Sequence, residues 1–124
     1  MSRPIPRISI TLPNGASAAV GSAATTPLGT NKGVYQGTIA LIKVVTPNFT
    51  NAITTTIRIY DANGILKYQT AALAENSGAA GYCIPVSIPI YAGEYVVAAP
   101  SDDPGAGGGI VTIDLEFVPD VVRP

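Results

Sequence analysis

The chain has 124 residues, enough for one domain with a core of its own. Only 12% of them are charged, roughly half the usual fraction of about 25%. The net charge is −1 and there is no histidine, which excludes Ser-His-Asp and Cys-His nucleophiles and histidine-liganded zinc.

The charge is unevenly spread. Residues 1–46 hold Arg3, Arg7, Lys32 and Lys43 with no acid, whereas residues 47–124 hold three bases against eight acids. Four scattered bases make no phosphate-tracking patch, so no nucleic-acid partner is expected. No apolar run approaches the ~18 residues of a membrane span, so no membrane partner is expected either. The opening "MSRPIPRISITLP" lacks the apolar centre of a secretory signal, so a chain made in the cytoplasm, or one that has lost its leader, is expected. Cys83 stands alone, so no intrachain disulfide can form, and it reads as a small strand residue.

In chain order, "ISITL" at 8–12 alternates apolar and polar residues and predicts a strand. Residues 13–33, "PNGASAAVGSAATTPLGTNKG", have small side chains and no periodicity. A structureless stretch of that length does not suit the inside of a compact domain. Residues 1–33 are therefore expected to form an N-terminal arm or long loop whose 8–12 strand can add to a sheet, with a β-sandwich domain over 34–124. "GTIALIKVVT", 37–46, and "ITTTIRIY", 53–60, predict further strands, the second with Ile57 and Ile59 on one face and Thr56, Arg58 and Tyr60 on the other. "DANG", 61–64, reads as a tight turn with Asn63 and Gly64 supplying positive φ, and "ILKYQ" as its returning strand. Residues 70–81, "TAALAENSGAAG", have room for one helical turn before Ser77-Gly78 and read as loop.

"YCIPVSIPI", 82–90, places Ile84, Val86, Ile88 and Ile90 on one face. Pro85 and Pro89 remove two N–H donors from one lateral edge, which predicts an edge or bulged strand. "EYVVAA", 94–99, follows a turn at Ala92-Gly93. The last strand, "IVTIDLEFV", faces Val111, Ile113, Leu115 and Phe117 inward. About seven or eight strands with Gly and Pro between them predict an all-β fold, a single β-sandwich or jelly roll.

The glycine-rich "SDDPGAGGGI", 101–110, precedes a strand rather than a helix, and its two aspartates would repel an anion, so it reads as a flexible hairpin connection and not a phosphate cradle. Asp102 and Asp103 lack the spaced oxygen ligands that calcium takes, and Asp61 and Asn63 read as turn chemistry. Lys32, Lys43 and Lys67 show no pairing with a serine nucleophile, and Asp114 and Glu116 read as solvating residues on one outer strand face. No catalytic, cofactor or metal residues are expected, and no enzyme. The six tyrosines, Tyr35, Tyr60, Tyr68, Tyr82, Tyr91 and Tyr95, are the one candidate set for stacking on sugar.

Two stretches in order, "IRIYDANGILKYQT" and "IPIYAGEYVV", resemble a pairing found in bacterial and phage β-sandwich modules such as pre-peptidase C-terminal-like jelly rolls, over residues 53–118. With the arm and the small-residue surface, the whole chain resembles a tailed-phage capsid decoration (cement) protein. That resemblance implies a non-enzymatic homotrimer on the outer head surface of a virion, without cofactors, bound to the major capsid protein and stabilising capsomer junctions. It carries no functional residues onto this chain. From the residues themselves, the expected partner contacts are Arg3, Arg7, Ile8, Ile10 and Leu12 of the arm, with Pro85 and Pro89 on the edge strand. The alternatives are a secreted or virion-displayed carbohydrate-binding module, or a tail or baseplate subunit.

Overall fold

The computed structural model describes residues 7–12, 37–91 and 93–118, and the backbone of 25–28. Arg3, Lys32 and Tyr35, and most of the expected arm, lie outside the described residues.

The described residues form nine strands, in order: β1 (Arg7–Leu12), β2 (Thr25–Leu28), β3 (Gly37–Val45), β4 (Thr54–Tyr60), β5 (Leu66–Gln69), β6 (Leu73–Ala74), β7 (Tyr82–Ile90), β8 (Glu94–Pro100) and β9 (Gly109–Val118). The β-branched runs supply the strands, and Gly, Asn and Asp supply the breaks between them. The strands expected from β-branched runs, alternation and turn positions at 37–46, 53–60, 82–90, 94–99 and 110–118 are observed at 37–45, 54–60, 82–90, 94–100 and 109–118. The two-residue β6 lies inside the stretch read as loop, and β2 inside the aperiodic stretch.

One sheet has the order β1-β9-β3-β7; the other has β2-β8-β4-β5, with β6 attached to β4. Every pairing is antiparallel. With β6 set aside, the eight remaining strands run 1-8-3-6 in one sheet and 2-7-4-5 in the other. This interleaving is that of a two-sheet jelly roll, so of the two architectures open at sequence level the connectivity selects the second.

The core lies between the sheets and is built from alternate residues of the longer strands: Ile39, Ile42 and Val44 of β3, Ile57 and Ile59 of β4, Val96 and Ala98 of β8, and Val111, Ile113 and Leu115 of β9. Ile8, Ile10 and Leu12 of β1 belong to the same cluster. Strand 8–12 is therefore added to a sheet, as the alternation allowed, and the core crosses the division expected at residue 33. A bulge at Ala40, between the Ile39 and Leu41 pairings, shifts the register so that Ile42 and Val44 return to the inner face.

Thr55 sits among these apolar groups on β4, fully buried, and its Oγ1 has no hydrogen-bond partner. Thr55→Val keeps the shape and removes the stranded hydroxyl, so it is expected to raise stability by about 1 kcal/mol. The urea midpoint should move up at unchanged slope. A lower midpoint would mean that the hydroxyl is satisfied.

The turn between β4 and β5 differs in detail from its expected form. Only Gly64 takes positive φ, at 83°. Oδ1 of Asp61 accepts from the backbone N–H groups of Asn63 and Ile65, both at 2.9 Å, and the Gly64 N–H donates to the Asp61 carbonyl at 3.0 Å. The aspartate cap holds Asn63 in ordinary negative-φ backbone and leaves the left-handed position to glycine.

Candidate functional site

The glycine loop is not the expected hairpin connection, since β8 and β9 lie in different sheets, and it crosses between them docked on Thr50 and Asn51. Asn51 N–H donates to the Pro104 carbonyl at 2.9 Å, Asn51 Nδ2 to the Asp103 carbonyl at 2.9 Å, and Thr50 Oγ1 to the Ala106 carbonyl at 2.8 Å. Glycine is required for this approach: a Cβ on Gly105 would lie 2.9 Å from Thr50 Cβ, and one on Gly109 would lie 2.6 Å from the Phe49 ring. The Gly105 N–H, which a phosphate would need, donates to the Asp103 carboxylate at 2.9 Å instead. Asp102 likewise accepts from the Asp103 N–H at 2.8 Å. The loop's acids thus shape the loop, and the sequence missed the docking because Thr50 and Asn51 lie some fifty residues away.

Among the described residues strand β7 is the edge of its sheet, paired with β3 alone, in keeping with Pro85 and Pro89. Both prolines are exposed, as are Cys83 and Ser87 between and beside them. The Pro89 carbonyl accepts from Lys67 Nζ, so this residue directs its backbone away from β3. N–H and C=O of one strand residue point the same way, and the missing donors of Pro85 and Pro89 therefore fall on the open side. A strand arriving there would find carbonyls without matching N–H groups.

Lys67 does more than cover that edge. It reaches from β5 of one sheet to β7 of the other, and its ammonium is 2.7 Å from Oε1 of Glu94, a residue 5% exposed. The same Glu94 oxygen accepts the Tyr91 N–H at 2.8 Å, and the ammonium lies 5.2 Å from the centre of the Tyr91 ring. Cation, carboxylate, carbonyl and ring close the seam between the sheets at one end of the sandwich. Neither "ILKYQ" nor "AGEY" reveals this clamp, because its members come from three strands and one turn.

Across the outer face of the other sheet, Arg7, Asp114 and Lys43 stand opposite one another in register on β1, β9 and β3. Arg7 donates to both carboxylate oxygens of Asp114 at 2.8 Å, a bidentate pair. Those hydrogen bonds hold the Asp114 carboxyl below the usual carboxylate range, against a smaller opposing effect of burial, with the charges of Arg7 and Lys43 adding to the pull. Glu116 is exposed two positions on, so the two acids are not a facing pair around a substrate.

The expected contact residues therefore divide. Pro85 and Pro89 are outward on an open edge. The side chains of Ile8, Ile10 and Leu12 are spent on the core, and Arg7 is engaged by Asp114. Of the tyrosines, Tyr60 and Tyr95 stack across β4 and β8 with ring centres 5.3 Å apart and planes 21° apart. Tyr68 packs on the core and Tyr82 donates to the Ala74 carbonyl, leaving Tyr91 as a large exposed ring, 64% accessible. Among the described residues no group of three or more Cys, Asp or Glu is placed to hold a metal ion.

Comparison with protein families, with curated proteins and with solved structures finds no match to this chain in any of the three.

Proposed function

We propose that the chain is a non-enzymatic structural protein, a homotrimer seated on the outer surface of a phage head against the major capsid protein, where it reinforces the junctions between capsomers. One observation carries the reading: most of the described ionic side chains are turned onto the molecule itself, while several large apolar ones are left to solvent. Asp61 and Asp103 cap their own turns, Glu75 accepts the Phe49 N–H, Glu94 holds Lys67 and Asp114 holds Arg7. Ile65, Leu66, Tyr91, Ile110 and Val118 stand exposed. A rigid sandwich with that division of labour suits recognition by surface contact. Jelly rolls recur in viral shell domains and in lectins, and fold alone does not choose between them.

The Tyr60–Tyr95 stack and the exposed Tyr91 favour a second reading, a carbohydrate-binding module. One experiment separates the two: the full chain is incubated with undecorated capsids, and in parallel titrated against neutral oligosaccharides. Saturable capsid binding with a fixed copy number per capsomer junction is the expected result. Binding to sugar without binding to capsids would replace the first reading by the second.

A further inference from the structure

Four of the five large apolar side chains that the described residues leave exposed lie at one end of the sandwich. Ile65 and Leu66 follow the β4–β5 turn, Tyr91 follows β7, and Val118 closes β9 opposite Thr38, itself opposite Pro89 at the end of β7. The β4–β5 and β7–β8 turns touch there, since a Cβ on Gly93 would lie 2.9 Å from that of Ala62. Ile110, the fifth, begins β9 at the opposite end. The turn uses the backbone of Ile65 but neither the Ile65 nor the Leu66 side chain, because its hydrogen bonds run between backbone groups and the Asp61 carboxylate.

We infer that this end is a self-association surface, at which further copies of the same chain meet around the axis of the homotrimer. Charge selects that occupant. Near a symmetry axis each residue meets its own counterpart, so an unpaired cation or anion would face its like. Here the two full charges beside Tyr91 neutralise each other, Lys67 against Glu94 at 2.7 Å, and Asp61 is turned onto the N–H groups of its own turn. The other route to assembly, strand addition at β7, meets the donor-free positions Pro85 and Pro89 and the Lys67 ammonium. Apolar side chains around a neutralised ion pair are what a like surface can bury without desolvating a lone charge. The inference rests on the oligomeric part of the proposed function and is independent of the shell.

The test is sedimentation velocity on the full chain from low micromolar to submillimolar concentration, in dilute buffer and in about 1 M NaCl, where charge contacts are screened beyond about 3 Å. Concentration-dependent association that salt does not weaken is expected. Ile65→Ser with Tyr91→Ser should raise the dissociation constant at least about tenfold, while Ile110→Ser should match the unmodified chain. Should the double variant lose its β-type circular dichroism, Ile65→Lys, at a side chain 63% exposed, replaces it with the same expected direction. A chain that stays monomeric overturns both the oligomer and this inference. Association that the end variants leave unchanged, or that Ile110→Ser or salt abolishes, overturns this inference alone, and failure on capsids with association intact overturns only the shell reading.

Discussion

A chain that begins at residue 13 is expected to lose cooperative folding. Strand β1 is paired with β9 at all six of its positions, from Arg7 opposite Asp114 to Leu12 opposite Gly109. Ile10 and Leu12 are fully buried and Ile8 nearly so. Removing them exposes the edge of β9 and empties one flank of the core at once. A single buried Ile→Ala change costs about 2–5 kcal/mol, and a domain has about 5–15 kcal/mol in total. Three such losses together, about 6–15 kcal/mol, are as large as that total, and the lost pairing with β9 comes on top of them. The milder variant Ile10→Ala should remain folded, with its urea midpoint lowered by an amount equivalent to about 3 kcal/mol. If the truncated chain melts cooperatively at the unmodified midpoint, the strand is an accessory to the fold, and an arm that reaches a partner through 8–12 becomes available again.

Lys67→Met should cost about 3 kcal/mol, an effect large for a residue on a short edge strand. The methionine can follow the lysine stem, so little packing is lost. What changes is that the Glu94 carboxylate keeps the Tyr91 N–H and loses its ammonium, while the Pro89 carbonyl loses its donor. An uncompensated buried charge is the expensive outcome, more so than the absence of the pair. Lys67→Met combined with Glu94→Gln should therefore cost clearly less than the sum of the two single changes, a coupling that denaturant unfolding of all four proteins would measure. A Lys67→Met variant within about 0.5 kcal/mol of the parent would show that the seam is held by packing alone.

The strands were legible because alternation is a local property: "IVTIDLEFV" and "ISITL" place every second side chain inward whatever they pair with. Pro85 and Pro89 made the edge legible for the same reason, since a missing donor is visible without its partner. The site-level features were not local. The clamp needs Lys67, Pro89 and Glu94 to meet across two sheets, and the docked glycine loop needs Thr50 and Asn51 beneath it. Exposure is equally invisible in a string: Ile65 and Ile59 are the same residue type six positions apart, one in solvent and the other in the core. Composition showed how few charges the surface could carry, and only the arrangement of the turns located where the large apolar groups gather.

The interleaving of β1 with β9 has a consequence for biosynthesis. Among the described residues β1 finds its only sheet neighbour in β9, which leaves the ribosome 107 residues later at the Arg7–Asp114 pair. Until β9 has emerged, Ile8, Ile10 and Leu12 have no finished cavity to fill, and the nascent chain must carry them unpaired. Closure by the most distant contact makes folding slow for its size and leaves strand edges open to neighbouring nascent chains meanwhile. Yield in a cell is then governed by how long the chain waits for β9, so slowing translation over that strand should send more of it into aggregates.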